Sequence, residues 1–136
     1  MSTQGVVNDE AFLGGFRAFA GHGLLIFRDV RSENTHAGYS GVGVHVTPDS
    51  LYVPVQHPVD GPVVAEVFEE GAADLALGAV TLFEGTVSSQ QGEFVLHDAD
   101  DAVRLRIVTD EPGEAQLRIS ADAESSPAAV RFQLWY

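Results

Sequence analysis

Over residues 103–109, Val103, Leu105 and Ile107 alternate with Arg104 and Arg106, and over 115–121 Leu117 and Ile119 alternate with Gln116 and Arg118. Successive side chains of a strand point to opposite faces, so a period of two predicts strands with one buried and one wet face. In the last segment Val130, Phe132, Leu134 and Tyr136 share one parity, with Arg131, Gln133 and Trp135 on the other. Trp135 is therefore expected exposed or packed under a loop. Leu105, Ile107, Leu117, Ile119, Phe132 and Leu134 are expected to face the core.

Elsewhere, short runs rich in Val, Leu, Ile and Phe are punctuated by Gly, Pro, Asp and Ser, the rhythm of a β protein. Strands are expected over 23–30, 41–47, 50–56, 62–69, 79–88, 93–98, 103–109, 115–121 and 129–136. An apolar stretch, "AFLGGFRAFA" (11–20), precedes them and is assigned to no element. "FEEGAADLALGA" (68–79) tolerates a helical turn or two between Gly71 and Gly78, and "RSENTHAGYSG" (31–41) is the longest polar segment and the expected mobile loop. The fold class is all-β, an antiparallel β-sandwich of about eight to ten short strands with at most one short helix. It forms a single domain over 1–136, with residues 1–10 as a flexible tail.

Pro112-Gly113 in "TDEPGEA" (109–115) supplies the fixed φ and the positive φ that a type II turn wants at its central positions. It is expected to close a hairpin. "SSQQGE" (88–93) is expected to do the same, which makes 79–121 a four-stranded antiparallel meander, and "VDGP" (59–62) is a further turn. Alternate connections of a meander lie at opposite ends, so the acids at 98–101 lie opposite those at 110–114.

At 136 residues the chain can bury about two-thirds of its unfolded surface without disulfides or metals. It has no cysteine, which excludes disulfides, thiolate zinc sites and a cysteine nucleophile. The N-terminus has no basic region followed by an apolar run, and no stretch reaches the roughly 18 apolar residues of a membrane helix. A cytoplasmic location is expected.

Twenty acidic residues stand against seven basic ones, all arginine, for a formal charge of −13. Such a surface repels nucleic acid and anionic membranes, and a basic protein is its natural partner. Absence of lysine beside abundant Ala, Gly, Val and Asp is also what GC-rich coding would produce, and acidity by itself favours solubility.

Among candidate sites, "LHDADDAV" (96–103) packs His97, Asp98, Asp100 and Asp101 into one gap. It lacks the central glycine and twelfth-position glutamate of an EF-hand, although carboxylates from several loops could still converge on calcium. Asp is also favoured wherever a chain reverses. His22, His36, His45, His57 and His97 form no HxH, HExxH or i, i+4 pair, so no local metal motif exists. His45 is expected exposed or hydrogen-bonded, and His57, before Pro58, reads as a strand end. No serine sits in a GxSxG setting, and the glycines of "GVGVHV" (41–46) open no helix and cradle no phosphate. No catalytic residue, metal site or cofactor is assigned.

The last half contains a Gly-broken strand "LFEGTVSS", the acidic connection, an alternating strand, the return "PGEAQLRIS" and an aromatic final strand "RFQLWY". In this order it resembles small acidic bacterial β-sandwich proteins of the competence-protein-J type, known as nuclease inhibitors, and immunity proteins of similar shape. The pattern departs from that family at Ala115 and Gln116, where an aromatic tends to follow the glycine. The resemblance implies a bacterial, non-enzymatic protein that neutralises a basic partner such as a nuclease or toxin. Asp98, Asp100, Asp101, Asp110, Glu111 and Glu114 are the expected contact residues. Two other classes stand beside it: a sandwich binding sugar or calcium, with Tyr39, Tyr52 or Trp135 as a platform, and an assembly subunit associating through strand edges, its aromatic C-terminal strand being the contact.

Overall fold

The computed structural model describes residues 11–77 and 80–136. The expected tail over 1–10, and the parts of the expected strand and helical turn that fall on Gly78 and Ala79, lie outside them.

Among the described residues ten strands follow one another: β1 (Phe12–Ala18), β2 (Leu24–Asp29), β3 (His45–Thr47), β4 (Ser50–Pro54), β5 (Val63–Phe68), β6 (Val80–Ser89), β7 (Glu93–Asp98), β8 (Arg104–Val108), β9 (Gly113–Ala121) and β10 (Ala129–Trp135). They form two five-stranded sheets, one ordered β1-β5-β10-β9-β6 and the other β3-β4-β2-β7-β8. Every neighbouring pair is antiparallel except β5 and β10, which run parallel. The molecule is an all-β sandwich, as the alternation predicts. Among the described residues no helix is long and apolar enough to cross a membrane.

The inner faces meet through the parity read from the sequence. Leu25 and Phe27 of β2, Leu51 and Val53 of β4, and Phe94 and Leu96 of β7 face Ala65, Val67, Leu117, Ile119, Phe132 and Leu134 of the other sheet. Phe27 ties them together, its ring stacked 5.1 Å from Phe94 in its own sheet and 5.3 Å from Phe132 across the core. Removing a side chain of this size from water stabilises the fold by about 1.5–3 kcal/mol. Ile107, Leu117, Ile119, Phe132 and Leu134 are all at most 1% exposed. Leu105 is only half-buried, because it lies on edge strand β8 where β1 crosses over. There a Cβ on Gly14 would stand 2.9 Å from a Leu105 methyl, so the two sheet edges close on each other through a glycine.

Three expectations need correction. Residues 79–121 are not a four-stranded meander: β6 pairs with β9 in one sheet and β7 with β8 in the other. The connections at 88–93 and 109–115 are therefore arches between sheets, not hairpins. Pro112-Gly113 still turns the chain, with Gly113 at φ +102°, but turn chemistry does not say which sheet the next strand joins. "AFLGGFRAFA", assigned to no element, supplies strand β1. Gly14 and Gly15 lower its intrinsic strand preference, and pairing with β5 overrides that.

Over the described residues 68–77 the chain makes one turn of 3-10 helix, Ala73–Leu75, in keeping with the helical turn or two expected there. Its carbonyls are used by side chains of the sheet beneath. Gln133, fully buried, donates to the Glu70 and Ala72 carbonyls at 3.0 and 2.9 Å, and Arg131 donates to Leu75 at 2.7 Å. Trp135 lies under this segment, with Gly71 against its ring and the Arg118 guanidinium 4.9 Å from the ring centre. A Cβ on Gly71 would come within 2.6 Å of the indole.

Candidate protein-binding surface

The connection from β7 to β8 is a true hairpin, and its four ionisable side chains do different things. Asp98 is 1% exposed, and its carboxylate accepts N–H groups from Gly21 (3.0 Å), Ala102 (2.7 Å) and Val103 (3.2 Å). Burial works against its charge, but the amides of Gly21, Val103 and Ala102 outweigh burial and hold the carboxyl below its ordinary range. It braces the turn from inside, and the carboxylates offered outward here are Asp100 and Asp101. Gly21 admits them: a Cβ there would fall 2.2 Å from an Asp100 oxygen.

Each outward acid has a basic side chain beside it. Asp100 lies 3.2 Å from Nε2 of exposed His22. Asp101, at φ +56°, accepts two bonds from Arg104, each 3.0 Å, and that guanidinium holds its carboxyl low. Charge at this end is partly cancelled.

The opposite end is built by the two arches. Thr109 donates its hydroxyl proton to the Gly92 carbonyl at 3.0 Å, tying 89–92 to 109–112. The separation of 98–101 from 110–114 therefore holds, although arches and not hairpins produce it. Asp110 N–H donates to Glu69 Oε2 at 2.8 Å, the Tyr136 hydroxyl donates to the same oxygen, and Glu111 N–H donates to the Tyr136 oxygen at 3.3 Å. Burial first, and then the Glu69 carboxylate, push the Tyr136 hydroxyl above its ordinary pKa. Asp110, Glu111 and Glu114 stand exposed, and among the described residues no arginine or histidine pairs with them. Arg104, Arg106, Arg118 and Arg131 instead bind Asp101, Glu93, Glu84 and Glu66. The 110–114 end thus keeps its full negative charge, whereas Arg104 offsets part of the charge at the 98–101 end.

A third constellation, not assigned from sequence, lies on the outer face of the sheet that contains β2. Register places His45, Tyr52, Ile26, His97 and Arg104 in one row across five strands. The polar loop 31–41 folds His36 onto this row, buried and stacked on Tyr52 with ring centres 3.8 Å apart. His36 Nε2 meets Ser50 Oγ at 2.8 Å and its Nδ1 meets His45 Nδ1 at 2.9 Å, so one imidazole donates to the other. Burial, then His45, lower the pKa of His36 against an opposing pull from Asp49. His45 is hydrogen-bonded, as expected; the one advance signal for His36 was an imidazole inside an otherwise polar loop.

Two of the three aromatic platforms expected for a sugar are covered: His36 stacks on one face of Tyr52, and Trp135 lies against Gly71 and the Arg118 guanidinium, while Tyr39 packs edge-on to Tyr52 and His45. Among the described residues no three His, Asp or Glu side chains come together in a way that would hold a metal ion. The aromatic C-terminal strand is not an edge. It is β10, flanked on both sides by β5 and β9.

No family model matches the sequence, and no curated protein matches it significantly. Two solved structures share its fold. One is ComJ from Bacillus subtilis, inhibitor of the DNA degrading activity of NucA: TM-score 0.58 at 6% identity, covering 91% of this chain and 96% of ComJ. The other is the product of crocagin biosynthetic gene J: TM-score 0.54 at 14% identity, covering 92% of this chain and 95% of that one. The resemblance read in the last half thus extends over the whole sandwich, at the level of fold.

Proposed function

We propose that this chain is a cytoplasmic, non-enzymatic binding protein that neutralises a basic protein partner, of which a nuclease is the leading class. The observation that carries the reading is the sharing of the entire sandwich with ComJ, an inhibitor of a DNA-degrading protein. The charge of −13 supports it independently, because the channel through which a nuclease takes up nucleic acid is basic. Of the two acidic ends, the one carrying Asp110, Glu111 and Glu114 is the contact, since its carboxylates are not spent on arginines. Carboxylates so placed steer a cationic surface into register and act mainly on the association rate.

The test is inhibition of basic bacterial nucleases, NucA among them, followed by the rate of DNA fragmentation over a salt series. Replacing Asp110, Glu111 and Glu114 by Asn, Gln and Gln should slow association on the order of tenfold at low salt and flatten the salt dependence. The pair Asp100→Asn and Asp101→Asn should change it much less. No inhibition of any basic nuclease by the parent protein would overturn the reading. Equal effects of the two sets would overturn the choice of end.

A further inference from the structure

Strand β6 is ten residues long and lies at the edge of its sheet, paired on one side only, with β9. The direction of its amides follows from two bonds outside the ladder. Asp122 N–H, one residue past β9, donates to Ala129 on the β10 side at 3.1 Å, so by alternation the amides of Ile119, Leu117 and Ala115 point to β6. Their partners Phe83, Gly85 and Val87 point back, and Glu84, Thr86 and Ser88 therefore present N–H and C=O outward. Ser88 confirms this parity: its N–H donates outward to the Pro48 carbonyl at 3.0 Å. Among the described residues nothing accepts from the Glu84 or Thr86 amides.

The edge leads into a cleft of about 470 Å³, which begins where a bulge between Thr81 and Phe83 bends the strand. Val42, Val44, Pro54 and Leu82 line it, with Glu124 and Ser126 at its rim. Backbone groups beside an apolar cleft are the two parts of strand addition, in which main-chain bonds supply affinity and pockets select alternate side chains. The other edges lack this pairing of parts: β3 has three residues, β1 shifts register between Phe12 and Gly14 and closes onto β8, and β8 carries Arg104 and Arg106.

We infer that the β6 edge captures an extended segment of a basic protein, with Glu84 and Thr86 pairing its backbone and the Val42–Leu82 cleft receiving an apolar side chain. Charge selects the occupant: Glu124 beside the cleft is exposed and acidic, Glu84 on the strand is exposed with Arg118 3.6 Å away, and the chain carries a net charge of −13. An incoming strand alternating basic and apolar residues places its cations beside these acids and its apolar residues over the cleft. This deepens the inhibitor reading and rests on it for the partner's charge alone.

The probe is a labelled seven-residue peptide of alternating lysine and valine, compared with one in which glycine replaces each valine. The valine peptide should bind at least tenfold more tightly by fluorescence anisotropy. Its saturation should slow amide exchange at Glu84 and Thr86 at least tenfold, with the β8 amides unchanged. Thr86→Pro removes an outward N–H that serves no native bond, at an exposed position preceded by Gly85, which accommodates the restriction proline places on its predecessor. This variant should keep its fold and bind the valine peptide no better than the glycine one. Equal binding of the two peptides, protection elsewhere than on β6, or undiminished binding by folded Thr86→Pro would each overturn the proposal. The amide exchange of the parent decides the matter if the variant does not fold. Nuclease inhibition retained by folded Thr86→Pro would remove the edge and leave the inhibitor reading. Peptide capture on β6 without nuclease inhibition would do the reverse.

Discussion

Arg28 donates its Nε–H to Nε2 of His97 at 3.1 Å, while His97 Nδ1–H donates to the Asp98 carbonyl at 2.8 Å. Both ring nitrogens are thereby assigned in the neutral form, because a second ring proton would face the guanidinium.

Burial is the main cause that lowers the pKa of His97, with Arg28 and Arg104 adding to it and the Asp98 carbonyl and Asp101 opposing. As pH falls, the unfolded chain takes up this proton first, near 6.5. Stability is therefore full above that value and declines as pH drops through it toward the lowered folded value. The melting temperature should fall from pH 7.5 to 5.5, and less steeply in His97→Gln, which can accept from Arg28 without titrating. His36, lowered chiefly by burial, accounts for the slope that remains. Identical slopes would exclude His97 as a source of the acid sensitivity.

Asp98 and Asp101 are three residues apart and should respond very unequally to truncation. Asp98→Ala leaves three backbone N–H groups without their acceptor and should cost about 2–4 kcal/mol in urea unfolding. Asp101→Ala, at an exposed ion pair screened by solvent, should shift the unfolding midpoint far less than Asp98→Ala. Asp98 is held low, so its contribution is present above the usual carboxylate range and is lost as pH falls through the lowered value.

Within the core, Ile107→Ala and Leu117→Ala should each cost about 2–5 kcal/mol, since both side chains are fully enclosed. Leu105→Ala, on the edge strand where β1 and β8 meet, should cost less than either, because part of that side chain already meets water. Equal losses at Leu105 and Ile107 would mean that the β1–β8 seam is closed to solvent.

Local alternation determined most of the strands: Val103 to Ile107 and Val130 to Leu134 show their buried face in sequence, because a strand repeats every two residues whichever sheet it joins. For the same reason alternation was silent on sheet membership. β6 and β9 pair across some thirty residues of chain, and Gln91-Gly92 and Pro112-Gly113 would look the same in a hairpin as in an arch between sheets. Acidity and its two separate clusters were also legible, since charge is a sum over composition. Which cluster remains uncompensated depended on Arg104 reaching Asp101 and on Asp98 turning inward to the Gly21 amide. The stacking of His36 on Tyr52 and the outward amides of Glu84 and Thr86 were likewise decided by tertiary structure alone. Each depends on where another strand or loop lies, and the hydrophobic pattern constrains only the face a residue takes, not the neighbour it meets.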